Sequence, residues 1–310
     1  MRALRNPVAV LFLATALFIV GTAGIASAVT TGTDSIRASL RTRDSALLSG
    51  WEKIWSGSFA GPSGAGVSSQ WTYDTGTGKF GTGEVETMTS STANVHLDGA
   101  GDLAITAIKN GISWTSGRIQ TARQFSPPAG KQTMISAVIK QPGPANGVGY
   151  WPAFWMLGSG PWPQSGEIDI MEDINGLSEH SGTLHCGNLT ARNADGTYGP
   201  CHEVTGLTSG LLSCTGCQST YNTYSVIIDR SDDANQQIRW YLDGTQFWTV
   251  SEQQVGTATW TQAVDHDFSV ILDLAVGGSW PDGQCKCTAP ESATSSGGTM
   301  SISSVAVYEQ

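Results

Sequence analysis

The sequence is poor in charge. Only 14% of its 310 residues are Asp, Glu, Lys or Arg, and the basic ones are scarcer, 16 against 26 acidic. A net charge of −10 excludes an electrostatic grip on nucleic acid or anionic lipid, which needs clustered Lys and Arg. Long helical hydrophobic periods are few, which argues against a helical bundle. No internal repeat is found, so a solenoid or propeller is excluded. Beyond the N-terminus no run is apolar enough to cross a bilayer. The acidic residues lack the loop spacing of a calcium site, which argues against metal storage.

What is present is glycine, 38 residues, and tryptophan, 11 residues. Short alternating stretches are bounded by Gly, Ser, Thr and Asn. Examples are Met134–Lys140, Tyr221–Asp229, Phe268–Val276 and Thr299–Tyr308. Asp98–Gly101 and Asp243–Gly244 carry hairpin chemistry. The expected class is all-β, a two-sheet antiparallel sandwich.

Met1–Ala28 has a basic start at Arg2 and Arg5, an apolar run over Val8–Ile19 and a small-residue cleavage signature at Ala26-Ser-Ala28. It reads as a secretory signal peptide, the alternative being an uncleaved anchor. Residues 29–50 read as a polar tail or linker, with a short helix around Ser35–Leu48. The domain is expected over 51–310. Cleavage would leave an exported, extracellular, still more acidic chain without a membrane segment, expected to be a monomer.

One stretch concentrates chemistry. Gly166-Glu-Ile-Asp-Ile-Met-Glu172 places Glu167, Asp169 and Glu172 within six residues. Alternation puts Glu167 and Asp169 on one face of a strand but would put Met171 beside them. A β-bulge near Ile170 or Met171 would return Glu172 to the acidic face. Three carboxylates so close cannot all ionise cheaply, so at least one pKa should rise. Glycoside hydrolysis uses such a pair, one carboxylate ionised and one protonated. The alternatives are a solvated acidic edge or a cation site. Trp151, Trp155 and Trp162 lie close by, and indoles stack on the C–H faces of sugar rings. Alternation sends neighbours to opposite faces, so Phe154 and one tryptophan are expected in the core.

Trp151-Pro-Ala-Phe-Trp-Met-Leu157, the bulged acidic motif and Gly182-Thr-Leu-His185 together resemble glycoside hydrolase family 16, in its bacterial laminarinase-like branch. The resemblance runs from about Trp51 to Gln310. It implies a jelly-roll sandwich with an open concave cleft and a retaining endo-β-1,3-glucanase acting on a polysaccharide. Glu167 would be the nucleophile and Glu172 the acid/base. Asp169, between them, would hydrogen-bond Glu167 and raise the pKa of Glu172. A histidine such as His185 would sit beside the acid/base. Arg118, in Thr115-Ser-Gly-Arg-Ile119, would reach toward the cleft to bind a hydroxyl or hold a carboxylate ionised, an ordinary ion pair being the alternative. Trp280, in Gly277-Gly-Ser-Trp-Pro281, would be a sugar platform. The donor-side segment departs from the family pattern, with Phe80, Thr82 and Gly83 at altered positions. Only Glu84 matches, as a substrate contact or a rim charge. The resemblance implies no cofactor. Family members often hold a structural calcium through an Asp on the closing strand, but this chain has Ser303 and Ser304, so no metal is expected.

Six cysteines in an exported chain suggest up to three disulfides. Cys186–Cys201 is the local pair expected. Cys214 and Cys217 are expected to bridge Cys285 and Cys287, the rival being a four-cysteine zinc site.

Overall fold

The computed structural model describes residues 49–310 except Lys79. The expected leader at 1–28, and the expected short helix around Ser35–Leu48, lie outside the described residues.

Two large antiparallel sheets dominate. One runs in the order Thr245–Ser251, Gln237–Leu242, Asn222–Asp229, Gln132–Lys140, Thr299–Glu309, Leu103–Thr106 and Val95–Leu97, with Glu52–Gly57 added along Thr299–Glu309. The other runs Leu207–Thr208, Glu179–His185, Glu167–Glu172, Tyr150–Gly158, Phe268–Val276, Arg118–Thr121 and Trp71–Tyr73. Strands far apart in sequence are neighbours in both, as a jelly roll requires. Hairpins form where the turns are coded. At Asp243-Gly244 both residues have positive φ, 47° and 76°, which matches the right-handed twist of the flanking strands.

Alternation decides which side of each strand is inside. Ile135, Ala137 and Ile139 face Tyr224, Val226, Ile228, Val305 and Val307 in one buried cluster with Phe154, Met156, Ile168, Ile170, Leu272 and Leu274 from the other sheet. A fully buried Leu, Ile or Phe contributes about 1.5–3 kcal/mol, whereas an exposed ion pair gives about 0–1 kcal/mol. The shared core therefore holds the sheets together.

The disulfides correct one expectation. Cys186–Cys201 forms as expected, but Cys214 pairs with Cys217 and Cys285 with Cys287. Each pair already has Cα atoms 5.6 and 5.2 Å apart within its own turn, inside the range a disulfide spans. The Cys214 turn is tied to Ser178 and Gln141, while Cys285 ends a short helix, Ser279–Cys285. No cysteine is left free for zinc.

Candidate active site

The acidic strand carries the expected bulge. On one side Phe154 pairs with Met171 and Trp155 with Asp169, leaving Ile170 as the extra residue. On the other, Thr183 faces Asp169 and Ser181 faces Glu172, with only Gly182 between them. Ile170 and Met171 are both fully buried. Glu172 thereby returns to the face of Glu167 and Asp169. A bulge leaves backbone groups without ladder partners. Here the Nε1–H of Trp240, from the opposite sheet, donates to the Asp169 carbonyl at 2.7 Å. Gly182 makes room for that indole, since a Cβ there would lie 2.5 Å from the Trp240 ring.

Outward residues form a grid across the sheet. One row reads Arg118, Asp273, Ala153, Glu172 and Ser181; the next reads Gln120, Ile271, Trp155, Asp169 and Thr183. Glu167 lies between Leu157 and His185. Trp151 and Trp155, four residues apart, share this face and are both half-buried, with only Phe154 inside. The expectation that one of these tryptophans is a core residue is corrected: a spacing of four preserves the face of a strand. Trp151 donates to Glu172 at 2.9 Å, and Trp280 packs edge-on against it with ring centroids 5.5 Å apart. Trp155 donates to Asp273 at 2.7 Å. Trp162, 39% exposed, lies 5.5 Å from the His185 ring.

Charges converge from neighbouring elements. His185 Nε2 lies 3.7 Å from Glu167 and 3.5 Å from Asp169, while Nδ1 meets Glu203 at 2.7 Å. Of the three strand carboxylates, the histidine contacts Glu167 and Asp169, with Glu203 closer still. Asp169 shares the His185 ring with Glu167, 3.5 Å from Nε2. Arg118 pairs with Asp74 at 3.1 Å and lies between the rings of Phe80 and Trp155, 4.3 and 4.7 Å away. Glu84 bridges to Gly277 and keeps one buried carboxylate oxygen without a hydrogen bond.

Burial and mutual repulsion push these carboxyls upward. Glu172 rises to about 7, through burial first, with the Trp151 hydrogen bond and His185 opposing. Asp169 lies well above the ordinary range through burial, then the charges of Glu172 and Glu167. Glu167 is also raised by burial, but His185 and Arg118 both pull it back. Asp273 rises to about 6, against the pull of Arg118. Burial would lower His185, yet its hydrogen bond to Glu203 and the charges of Glu167, Glu203 and Glu172 more than offset it, and its pKa is raised. The surface offers an ionisable carboxylate beside a cation and a protonated carboxyl beside an indole, a division of labour suited to acid/base work. Glu167, Asp169 and His185 also offer three ligand atoms within 4.8 Å of one another, but a cluster of acids is common without an ion and we assign none.

Sequence reasoning missed three residues of the site. Asp273 had a signal, a lone acid inside the apolar strand Phe268–Val276. Glu203 had none, because a disulfide loop brings it back to His185. Trp240 had none either, since it reaches the bulge from the other sheet.

The segment 108–236 matches the family described as XgeA-like, catalytic GH16 domain. The crystal structure of an endo-1,3-beta-glucanase from Streptomyces sioyaensis is 41% identical, with a TM-score of 0.77 over 84% of this chain and 97% of that one. The chain is 30% identical to a glucan endo-1,3-beta-glucosidase A1 of Niallia circulans over 88% of its length, and 31% identical to a keratan-sulfate endo-1,4-beta-galactosidase of Sphingobacterium multivorum over 74%. It spans 40% and 50% of those two longer proteins. Identity this high, sustained over nearly all of a solved chain of the same fold, means that this protein belongs to glycoside hydrolase family 16.

Proposed function

We propose that the protein is a secreted, retaining endo-hydrolase of internal β-1,3 bonds in laminarin-type β-1,3-glucan, working as a monomer. One observation carries the chemistry: the bulge brings Glu172, raised to about 7, onto the face of Glu167, whose charge His185 and Arg118 favour. Glu167 attacks the anomeric carbon while Glu172 gives its proton to the leaving oxygen, and a glycosyl-enzyme forms. Glu172, now ionised, takes a proton from water, which displaces Glu167 and restores the β configuration. Burial, with the charges of Glu167 and Asp273 behind it, favours the protonated form of Glu172. Trp151 holds the Glu172 carboxyl in place, and Trp162 and Trp280 offer ring faces to sugar. The leader signature and the three disulfides support export, since disulfides persist in oxidising compartments.

A second reading keeps the mechanism and changes the glycan to β-1,3-galactan or mixed-linkage glucan. It is favoured by Phe80, which stacks on Arg118 where the family pattern has tryptophan, and by the galactosidase among the relatives. Purified residues 29–310 and the Glu167→Ser variant, each given laminarin, lichenan and β-1,3-galactan, separate the readings. Short oligosaccharides from laminarin with wild type alone are the expected result. Laminarin left intact while galactan is cut would move the substrate. Glucan binding without sugar release from any of the three would make the chain a binding module. Proton NMR of the first product tests retention: the α anomer appearing first would overturn it.

A further inference from the structure

We propose that Glu203 is a positioning residue for this site: it fixes His185 with Nδ1 toward itself and Nε2 toward Glu167 and Asp169, and holds a positive charge on the ring. The inference rests on the reading of Glu167 as the nucleophile. Glu203 is 1% exposed and uses both carboxylate oxygens. One meets His185 Nδ1 at 2.7 Å, and the other accepts the backbone N–H of Cys186 at 2.8 Å. Its own backbone exchanges two hydrogen bonds with Tyr198, both 2.7 Å. The Cys186–Cys201 disulfide ties the residue after His185 to a point two residues before Glu203. Gly206 closes over the ring from the same loop; a Cβ there would lie 3.0 Å from His185 Cε1. Trp162 covers it from another side.

A buried carboxylate held by two donors, one of them an imidazole nitrogen, favours a proton on that nitrogen. Nδ1 is then occupied, and a second proton goes to Nε2, facing two further carboxylates. The charged groups around the ring are Glu167 and Asp169 from the acidic strand, Glu203 from the loop and Glu172 beyond them. All are acidic, and the charges of Glu203, Glu167 and Glu172 favour the imidazolium. Its charge in turn lowers Glu167. Glu203 also repels Glu167 directly, but more weakly than His185 attracts it. The net action of Glu203 is therefore to keep Glu167 ionised.

The test uses the Glu203→Gln variant and histidine-selective 15N labelling of residues 29–310. The amide oxygen would keep the Cys186 N–H, leaving an NH2 toward Nδ1. That geometry selects the neutral ring with its proton on Nε2. Wild-type His185, assigned by its loss in His185→Gln, is expected to carry both ring protons at pH 6.5 and to titrate above an ordinary histidine. The Glu203→Gln ring is expected to be neutral at that pH. With laminarin, the acid limb of the kcat/KM profile should move up by about one pH unit. The shift should be larger in His185→Gln, with KM changed less than kcat. A neutral wild-type ring, or a Glu203→Gln ring that stays charged, would overturn the proposal. So would an unmoved acid limb in folded Glu203→Gln. The spectrum needs no substrate, so failure of the glucanase reading is distinguishable, and the wild-type titration alone decides if the variant does not fold.

Discussion

The outward faces of the two sheets obey the same alternation and could hardly differ more. On the sheet of Gln132–Lys140, the centre is paved with Ser136, Ser225 and Ala306, paired in register, with the two hydroxyls 2.9 Å apart. On the other, equivalent central places hold Asp273, Glu172, Asp169 and Glu167, braced by two indoles, a guanidinium and an imidazole. Folding needs only the first kind of face. Small neutral residues satisfy one another and shift nothing. The second face keeps four carboxyls above their ordinary range, an arrangement that costs stability and is explained by chemistry.

The sharpest way to break the comparison is to neutralise one acid on each side of the proposed bond. Glu172→Gln keeps the shape and the Trp151 partner but has no proton to give. Turnover of laminarin should fall by about 10²–10⁴-fold, and the alkaline limb near pH 7 should vanish from what remains. Glu167→Ser should abolish turnover without loss of fold. Ser136→Ala on the opposite face should leave both rate and pH profile unchanged. A pH–rate profile identical in wild type and Glu172→Gln would remove Glu172 from the acid/base role.

A smaller effect is expected at the bulge, which is what makes the acidic face possible. Gly182→Ala would set a methyl 2.5 Å from Cδ1 of Trp240, a ring pinned by its hydrogen bond to Asp169. Either the indole moves, leaving a buried carbonyl unpaired, or the strand shifts. Both routes cost about 1–3 kcal/mol. A lower urea midpoint with kcat reduced in the folded fraction is the expected result. A variant with wild-type stability and kcat would show that the bulge does not depend on this contact.

The acidic strand shows how far sequence carries the fold and the site. Alternation and turn residues expose both sheets, because period two and the Asp243-Gly244 turn are local properties. The bulge is legible too, since Glu172 falls one residue out of phase with Glu167 and Asp169. The expectation of one core tryptophan among Trp151 and Trp155 fails because it weighs neighbours instead of positions four apart. Glu203, Trp240 and the pairing of Cys214 and Cys285 were not legible. Each depends on which distant loop or sheet meets the strand, and composition holds no record of that. His185 is legible as a histidine of the site, but its partners are not: pairing register sets it opposite Glu167, and the disulfide loop brings Glu203 to its other nitrogen.

The smallest effect sharpens the contrast without touching any one catalytic group. Carboxyls whose folded pKa is raised bind more protons in the folded chain than in the unfolded one. Stability then falls as pH rises from their ordinary values near 4 toward the folded values. Asp273 reaches about 6, Glu172 and Asp173 about 7, and Glu86 about 8, all through burial. His180 acts the other way: burial lowers it to about 4, so its contribution is present above 6.5 and lost as pH falls toward 4. Several carboxyls against one histidine make the protein more stable near pH 5 than near pH 8. Calorimetry should show Tm lower at pH 8, by on the order of 2–4 °C for each kcal/mol lost. Glu86→Gln isolates the upper end of that window. Its amide oxygen can still accept the Val276 N–H that Glu86 accepts at 2.8 Å, but it cannot ionise. The decline between pH 7 and 8 should flatten in this variant while the decline below 7 persists. A wild-type Tm that rises across pH 5–8 would mean that the buried acids are ionised in the folded state, and that the cations Arg118 and His185 outweigh burial on this face.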